Sequence, residues 1–263
     1  MRPIRILAVA ALAAAAACAP KAPVLPSGAG TPFPGFEAAY AEATASCRAI
    51  RTFSAAMALS GRAGGTKLRG RIDAGFAAPD RARLEGVPPF GRPVFILVAG
   101  DGHGTLLLPR DQRVIRDAPP AEIVEALAGI PLGAADLRAA VTGCGLSVNG
   151  SAVRGRTYSD GWSAVDLDTG TAFLKRDTGA WRLAAATRGS ITLVYGGDAR
   201  AGRPETVRLR ATDGARTLAD LTLRLSQVDV NVPLGDAVFR LDVPPDADPM
   251  TLDELRRAGP LGR

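Results

Sequence analysis

Lys67-Leu68-Arg69-Gly70-Arg71-Ile72-Asp73-Ala74-Gly75-Phe76 has a period of two. Lys67, Arg69, Arg71 and Asp73 alternate with Leu68, Gly70, Ile72, Ala74 and Phe76, so the side chains sort into one wet and one apolar face, as on a pleated strand. The alternation returns in Arg81 to Glu85, Thr206 to Thr212 and Leu221 to Leu225. One-sided strands belong to antiparallel sheets, because the helices flanking a parallel sheet bury both of its faces. Turns at Gly64-Gly65, Asp101-Gly102, Asp160-Gly161, Thr169-Gly170, Gly196-Gly197 and Asp213-Gly214 connect the strands as hairpins. In the last long strand the apolar parity passes from odd (Leu221, Leu223, Leu225) to even (Val228, Val230, Val232), which predicts a bulge near Ser226 and Gln227.

Helical spacing appears in two places. Phe36, Tyr40, Ala43, Cys47 and Ile50 recur every three or four residues and predict an amphipathic helix from Gly35 to Arg51. Between Pro119 and Gly143 the meander is interrupted. Pro119 and Pro120 open the segment, Glu122 and Glu125 favour its first turns, and Ile123, Ala126, Leu127, Leu132, Leu137 and Val141 give two short helices joined through Pro131-Leu132-Gly133. Helices inserted into a meander need an apolar surface to cover, which is the concave face of a strongly bent sheet. The fold class is therefore mainly β with helices, a half-open antiparallel barrel closed on its apolar side. Leu68, Ile72, Phe76, Leu84, Leu221 and Leu223 are the candidates for lining its hollow.

Arg2 and Arg5, the apolar run Ile6 to Ala17, and Ala15 to Ala17 ahead of Cys18 read as an export signal, too short to span a bilayer as a permanent anchor. A cysteine directly after small residues resembles the bacterial lipobox, which implies cleavage after residue 17 and acyl chains on Cys18; an ordinary signal peptide is the alternative. Two or more chains, at about 0.8 kcal/mol per CH2, hold a protein on a membrane persistently. Ala19 to Pro34, rich in Pro, Ala and Gly, predicts a flexible tether, so residues 18–34 form the lipidated cysteine and linker and residues 35–263 one domain.

The net charge of +6 falls by two when Arg2 and Arg5 are removed, and the remaining arginines alternate along strands without interleaved aromatics. That pattern disfavours nucleic acid and leaves a mild attraction to anionic lipid. With Cys18 assigned to lipid, Cys47 and Cys144 remain in an oxidising compartment, and a disulfide between them is expected. One histidine and no C-x-x-C pair argue against zinc, and no cofactor is called for.

Catalytic patterns are sparse. His103 sits in Gly100-Asp101-Gly102-His103-Gly104, where a hairpin accounts for the glycines. Gly161-Trp162-Ser163-Ala164-Val165 lacks the second glycine of a nucleophile elbow. Asp166, Asp168 and Gly170 make half a calcium loop, for which a turn is the simpler account. A non-enzyme is expected, with a hydrolase as a remote alternative.

Val87-Pro88-Pro89-Phe90-Gly91 lies between two strands, and its phenylalanine either folds into the core or forms an exposed apolar finger. Together with the lipidated cysteine, the tether, the helix and the meander, this hairpin resembles the LolA/LolB group of lipoprotein carriers and receptors, and within it the LolB-like outer-membrane receptors. The resemblance implies a half-open barrel whose hollow takes acyl chains, and it implies that Pro89, Phe90 and Gly91 form a membrane-delivery loop. It further implies a monomer, acylated lipoprotein or lipid as cargo, and lipid anchoring at the periplasmic face of the outer membrane in the cell envelope. Ala19 after Cys18 agrees with that membrane by the enteric sorting rule. Cys47, Cys144, Pro244-Pro245 and Thr251 to Ala258 depart from the LolB pattern, which leaves open another lipid cargo; helices that fill the hollow completely would leave an envelope scaffold as the alternative.

Overall fold

The computed structural model describes residues 23–146, 150–197 and 202–259; Cys18 and the leader lie outside the described residues. In chain order the elements are β1 (Thr31–Pro32), α1 (Phe36–Arg48), β2 (Thr52–Ala63), β3 (Thr66–Ala77), β4 (Arg81–Val87), β5 (Ile96–Gly100), β6 (His103–Leu108) and β7 (Arg113–Ala118). Two helices follow, α2 (Pro120–Ala128) and α3 (Ala134–Thr142). The chain then adds β8 (Ala152–Thr157), β9 (Trp162–Leu167), β10 (Gly170–Asp177), β11 (Ala180–Arg188), β12 (Ile191–Gly196), β13 (Thr206–Asp213) and β14 (Arg216–Val230), a 3-10 turn at Asp236–Phe239, β15 (Asp248–Pro249) and α4 (Leu252–Ala258).

All the strands join one bent, unclosed sheet in the order β1-β8-β9-β10-β11-β12-β13-β14-β2-β3-β4-β5-β6-β7-β15. Neighbours are antiparallel except β15 on β7. This order explains the helical interruption. After β7 the chain must travel to β8 near the opposite end of the sheet, and α2 and α3 make that crossing. Ile123, Leu127, Leu132 and Val141 on this crossing are buried in the same cluster as Phe53, Phe76, Leu106, Leu193 and Leu221 of the sheet. Burial of that apolar face is what holds the sheet bent around its helices.

Strand β3 keeps its expected alternation from Lys67 to Ala74, with Leu68 and Ala74 buried and Lys67, Arg69 and Arg71 exposed. Gly75 departs from it, being buried on the outer face. The C-terminal segment crosses there, and a Cβ on Gly75 would meet Leu234 at 3.6 Å and Val238 at 3.7 Å. Arg81 pairs with Asp236, and Arg83 donates to the Val238 and Arg240 carbonyls, which fixes that crossing. The segment ends with α4, whose Leu255 is buried and whose N-terminus carries a Thr251–Glu254 capping box. The expected bulge is present as a register shift between Ser226 and Asp229, with Gln227 at φ 51°. The valines beyond it are not core, since Val230 and Val232 are exposed.

Helix α1 ends at Arg48 rather than Arg51, and Ile50 is buried just after it. Cys47 and Cys144 are bonded with Cα atoms 5.5 Å apart, tying α1 to the end of α3. Residues 25 to 33, expected as part of a flexible tether, pack against the sheet. Thr31 and Pro32 pair with Thr157 and Arg156 of β8, Phe33 packs 5.5 Å from Trp181, and Leu25 joins the cluster of Trp162 and Phe173. Proline is tolerated there because an edge strand has no further neighbour to donate to.

Candidate functional site

Strands β2 and β3 pair along the whole of Thr66 to Ala77, but β4 pairs with β3 only from Arg71 onward. Strand β4 stops at Val87 because Pro88 and Pro89 carry no N–H to continue the ladder. Thr66 to Gly70 consequently have a strand on one side and the 88–95 loop on the other.

The inward positions at this end of the sheet include two glycines. At Gly86 the gap is filled, since the Gly86 N–H donates to the Phe95 carbonyl at 3.0 Å and a Cβ on Gly86 would fall 2.6 Å from the Phe95 ring. At Gly70 it is not, and a Cβ there would have nothing within 4 Å. The result is an open cleft of about 980 Å³ whose walls include Leu59, Leu68, Ile72, Val87, Val94 and Phe95, with Lys67, Arg69 and Arg71 along its rim. Pro88 and Pro89 also line it, and Phe90 next to them is 90% exposed. Gly91 takes φ 88°, a conformation that suits glycine, and turns the loop back toward the sheet. The exposed-finger geometry therefore holds for Phe90, and the core geometry does not.

Of the six residues expected to line the hollow, Leu68 and Ile72 lie on this cleft. Phe76, Leu84, Leu221 and Leu223 do not line it and are buried in the packed core, the same cluster to which Leu68 belongs. The reason is the filling supplied by α2 and α3, which occupies most of the concave face. Leu59, Gly70, Gly86, Val94 and Phe95 were missed by the sequence reading. A signal for them existed in Gly70 and Gly86, glycines at positions whose parity points inward.

The other candidates are structurally accounted for. His103 Nδ1 lies 2.7 Å from Asp117 Oδ1 with both side chains largely exposed. Ser163 is buried in β9. Burial pushes the Asp166 carboxyl up, but hydrogen bonds from Arg156 and Arg154 outweigh it and hold it below its usual range. With Thr171 also donating to it, Asp166 is committed to neighbouring side chains rather than to a cation. Among the described residues no three His, Cys, Asp or Glu side chains converge as metal ligands, and no helix is long and apolar enough to cross a membrane.

The fold is similar to that of a LolA superfamily protein from Nitrosomonas europaea, with a TM-score of 0.53 and 13% identity over 78% of this chain and 97% of that one. It is also similar to a domain from Vibrio parahaemolyticus described as an outer membrane lipoprotein-sorting protein, with a TM-score of 0.50 and 12% identity over 77% of this chain and 94% of that one. No family model and no curated protein matches the chain. At such identities the likeness establishes the LolA-like open barrel as the fold.

Proposed function

We propose that this protein is a non-catalytic envelope lipoprotein that takes acyl chains of lipoproteins or lipids into the cleft and assists their transfer to the outer membrane. The observation that carries the reading is an apolar cleft opening directly beside a phenylalanine that is 90% exposed. Transfer of each CH2 from water into such a cleft is worth about 0.8 kcal/mol, so a few methylenes give useful affinity while an open mouth permits release. The LolA-like fold and the lipoprotein-sorting description of one structural neighbour support this cargo. In this reading Cys18 carries the lipid anchor, the protein works as a monomer at the periplasmic face of the outer membrane, and Pro89, Phe90 and Gly91 form a delivery loop in the LolB manner. The packed concave face favours a second reading, an envelope scaffold that holds no lipid.

Phe90→Glu tests the first reading. Because Phe90 is already in solvent, thermal unfolding should change by no more than about 0.5 kcal/mol. Transfer of an acylated cargo between vesicles should fall at least about tenfold, the equivalent of 1.4 kcal/mol from the roughly 1.5–3 kcal/mol that burial of a Phe side chain yields. Unchanged transfer by a folded variant refutes the delivery role, and absence of acyl binding by the parent itself points to the scaffold.

A further inference from the structure

We propose that the mouth of the cleft docks on an anionic bilayer surface, with Lys67, Arg69 and Arg92 meeting its headgroups while Phe90 enters between the lipids. The inference rests on the acyl-transfer reading and names the membrane surface on which that transfer takes place. Lys67 and Arg69 stand on the rim of the cleft, and Arg92 is two residues from Phe90 in the same loop. All three are exposed, and among the described residues none of them meets a carboxylate.

Elsewhere on the sheet many arginines are neutralised, although Arg62, Arg116, Lys175, Arg176, Arg216 and Arg224 also stand without an ion pair among the described residues. Asp220 accepts from Arg208 and Arg210, Asp166 from Arg154 and Arg156, Asp136 from Arg188, and Glu85 from Arg83. Of the rim cations, Arg71 is paired with Asp73, which lies two residues further along β3. Three cations without an ion pair thus stand close to the exposed Phe90, and their charge complements an anionic leaflet. An apolar side chain ringed by basic groups is the arrangement that binds such a surface, through insertion and electrostatic attraction together.

The test uses the full chain carrying Cys18→Ser, so that no acyl anchor contributes. Co-sedimentation is measured with vesicles of phosphatidylcholine alone and of phosphatidylcholine mixed with phosphatidylglycerol. Binding should favour the anionic vesicles and weaken as salt screens the charges. Lys67→Gln, Arg69→Gln and Arg92→Gln combined should weaken it about 100-fold. Arg154→Gln, Lys175→Gln and Arg176→Gln combined, on β8 and β10 in the other half of the sheet, should leave it near the parent's value. Equal binding to both vesicle types, no loss in the rim variant, or equal loss in the β8/β10 variant overturns the docking surface. Binding of a fluorescent fatty acid by the same rim variant reads the cleft separately: retained, it leaves the acyl reading intact whatever the vesicles show; absent in the parent too, it removes that reading instead.

Discussion

Gly70→Phe should close the cleft without harming the fold. Gly70 faces inward on β3, directly opposite Leu59 of β2, and lies beyond the last pair that β3 makes with β4. A Cβ there would have nothing within 4 Å, and the backbone is outside the left-handed region, so a side chain enters open space without strain. Replacing glycine within a strand removes an entropic penalty of about 0.5–1 kcal/mol, and an aromatic suits a half-buried pleated surface. Stability should therefore stay level or rise by up to about 1 kcal/mol. The ring would project into the cleft of about 980 Å³. If it displaces roughly four methylenes of a bound chain at about 0.8 kcal/mol each, about 3 kcal/mol of binding is lost. That is on the order of 100-fold in Kd. Titration with an environment-sensitive fatty acid, paired with thermal unfolding, reads both quantities. Unchanged affinity in a folded variant would show that acyl chains bind elsewhere, and destabilisation by several kcal/mol would show that the space at Gly70 is not open.

Replacing both Cys47 and Cys144 by Ala should cost about 4–5 kcal/mol in urea unfolding, because the bond closes a loop of sequence separation 97; a loss below about 1 kcal/mol contradicts a structural role. Glu254 is held down to about 2 by the Thr251 N–H and hydroxyl and by Arg113. A depressed carboxyl contributes stability that is fully present above its unfolded value and lost as pH falls through the folded one. Hydrogen-exchange protection of α4 should thus persist at mildly acidic pH and fade as pH falls toward 2, whereas Glu254→Gln should flatten that dependence; identical profiles would refute the role of the capping box. Cys18→Ser should abolish metabolic labelling with a fatty-acid analogue, and equal labelling of parent and variant would place the acyl group elsewhere.

The alternation of Lys67 to Phe76 was legible because one face of β3 is solvated for most of its length, and water selects charge there. The same logic located the bulge at Ser226 and Gln227. Gly75 could not be read this way, because the segment that covers it comes from more than 150 residues later and glycine has no polarity to betray either face. The docking of residues 25 to 33 was illegible for a related reason. A two-residue edge pairing has no period, and Leu25 and Phe33 are isolated apolar residues in a proline-rich stretch. Parity put Leu68, Ile72, Phe76, Leu84, Leu221 and Leu223 on the apolar face but could not separate cleft from core among them, since that depends on which part of the concave face α2 and α3 reach. The gap at Gly70 was visible as a missing side chain on the apolar face, and the meaning of that gap required knowing where β4 stops. Phe90 was undecided in sequence because proline and glycine neighbours suit a buried turn and an exposed one equally.

Photo-crosslinking with a diazirine-bearing fatty acid, followed by peptide mass spectrometry, tests most directly whether the cleft holds acyl chains. Adducts should map to the segments of Leu68 to Ile72 and Gly86 to Phe95, should be displaced by unlabelled fatty acid, and should be lost in Gly70→Phe. Adducts spread over the outer face, or adducts at the cleft that Gly70→Phe leaves unchanged, would contradict the account.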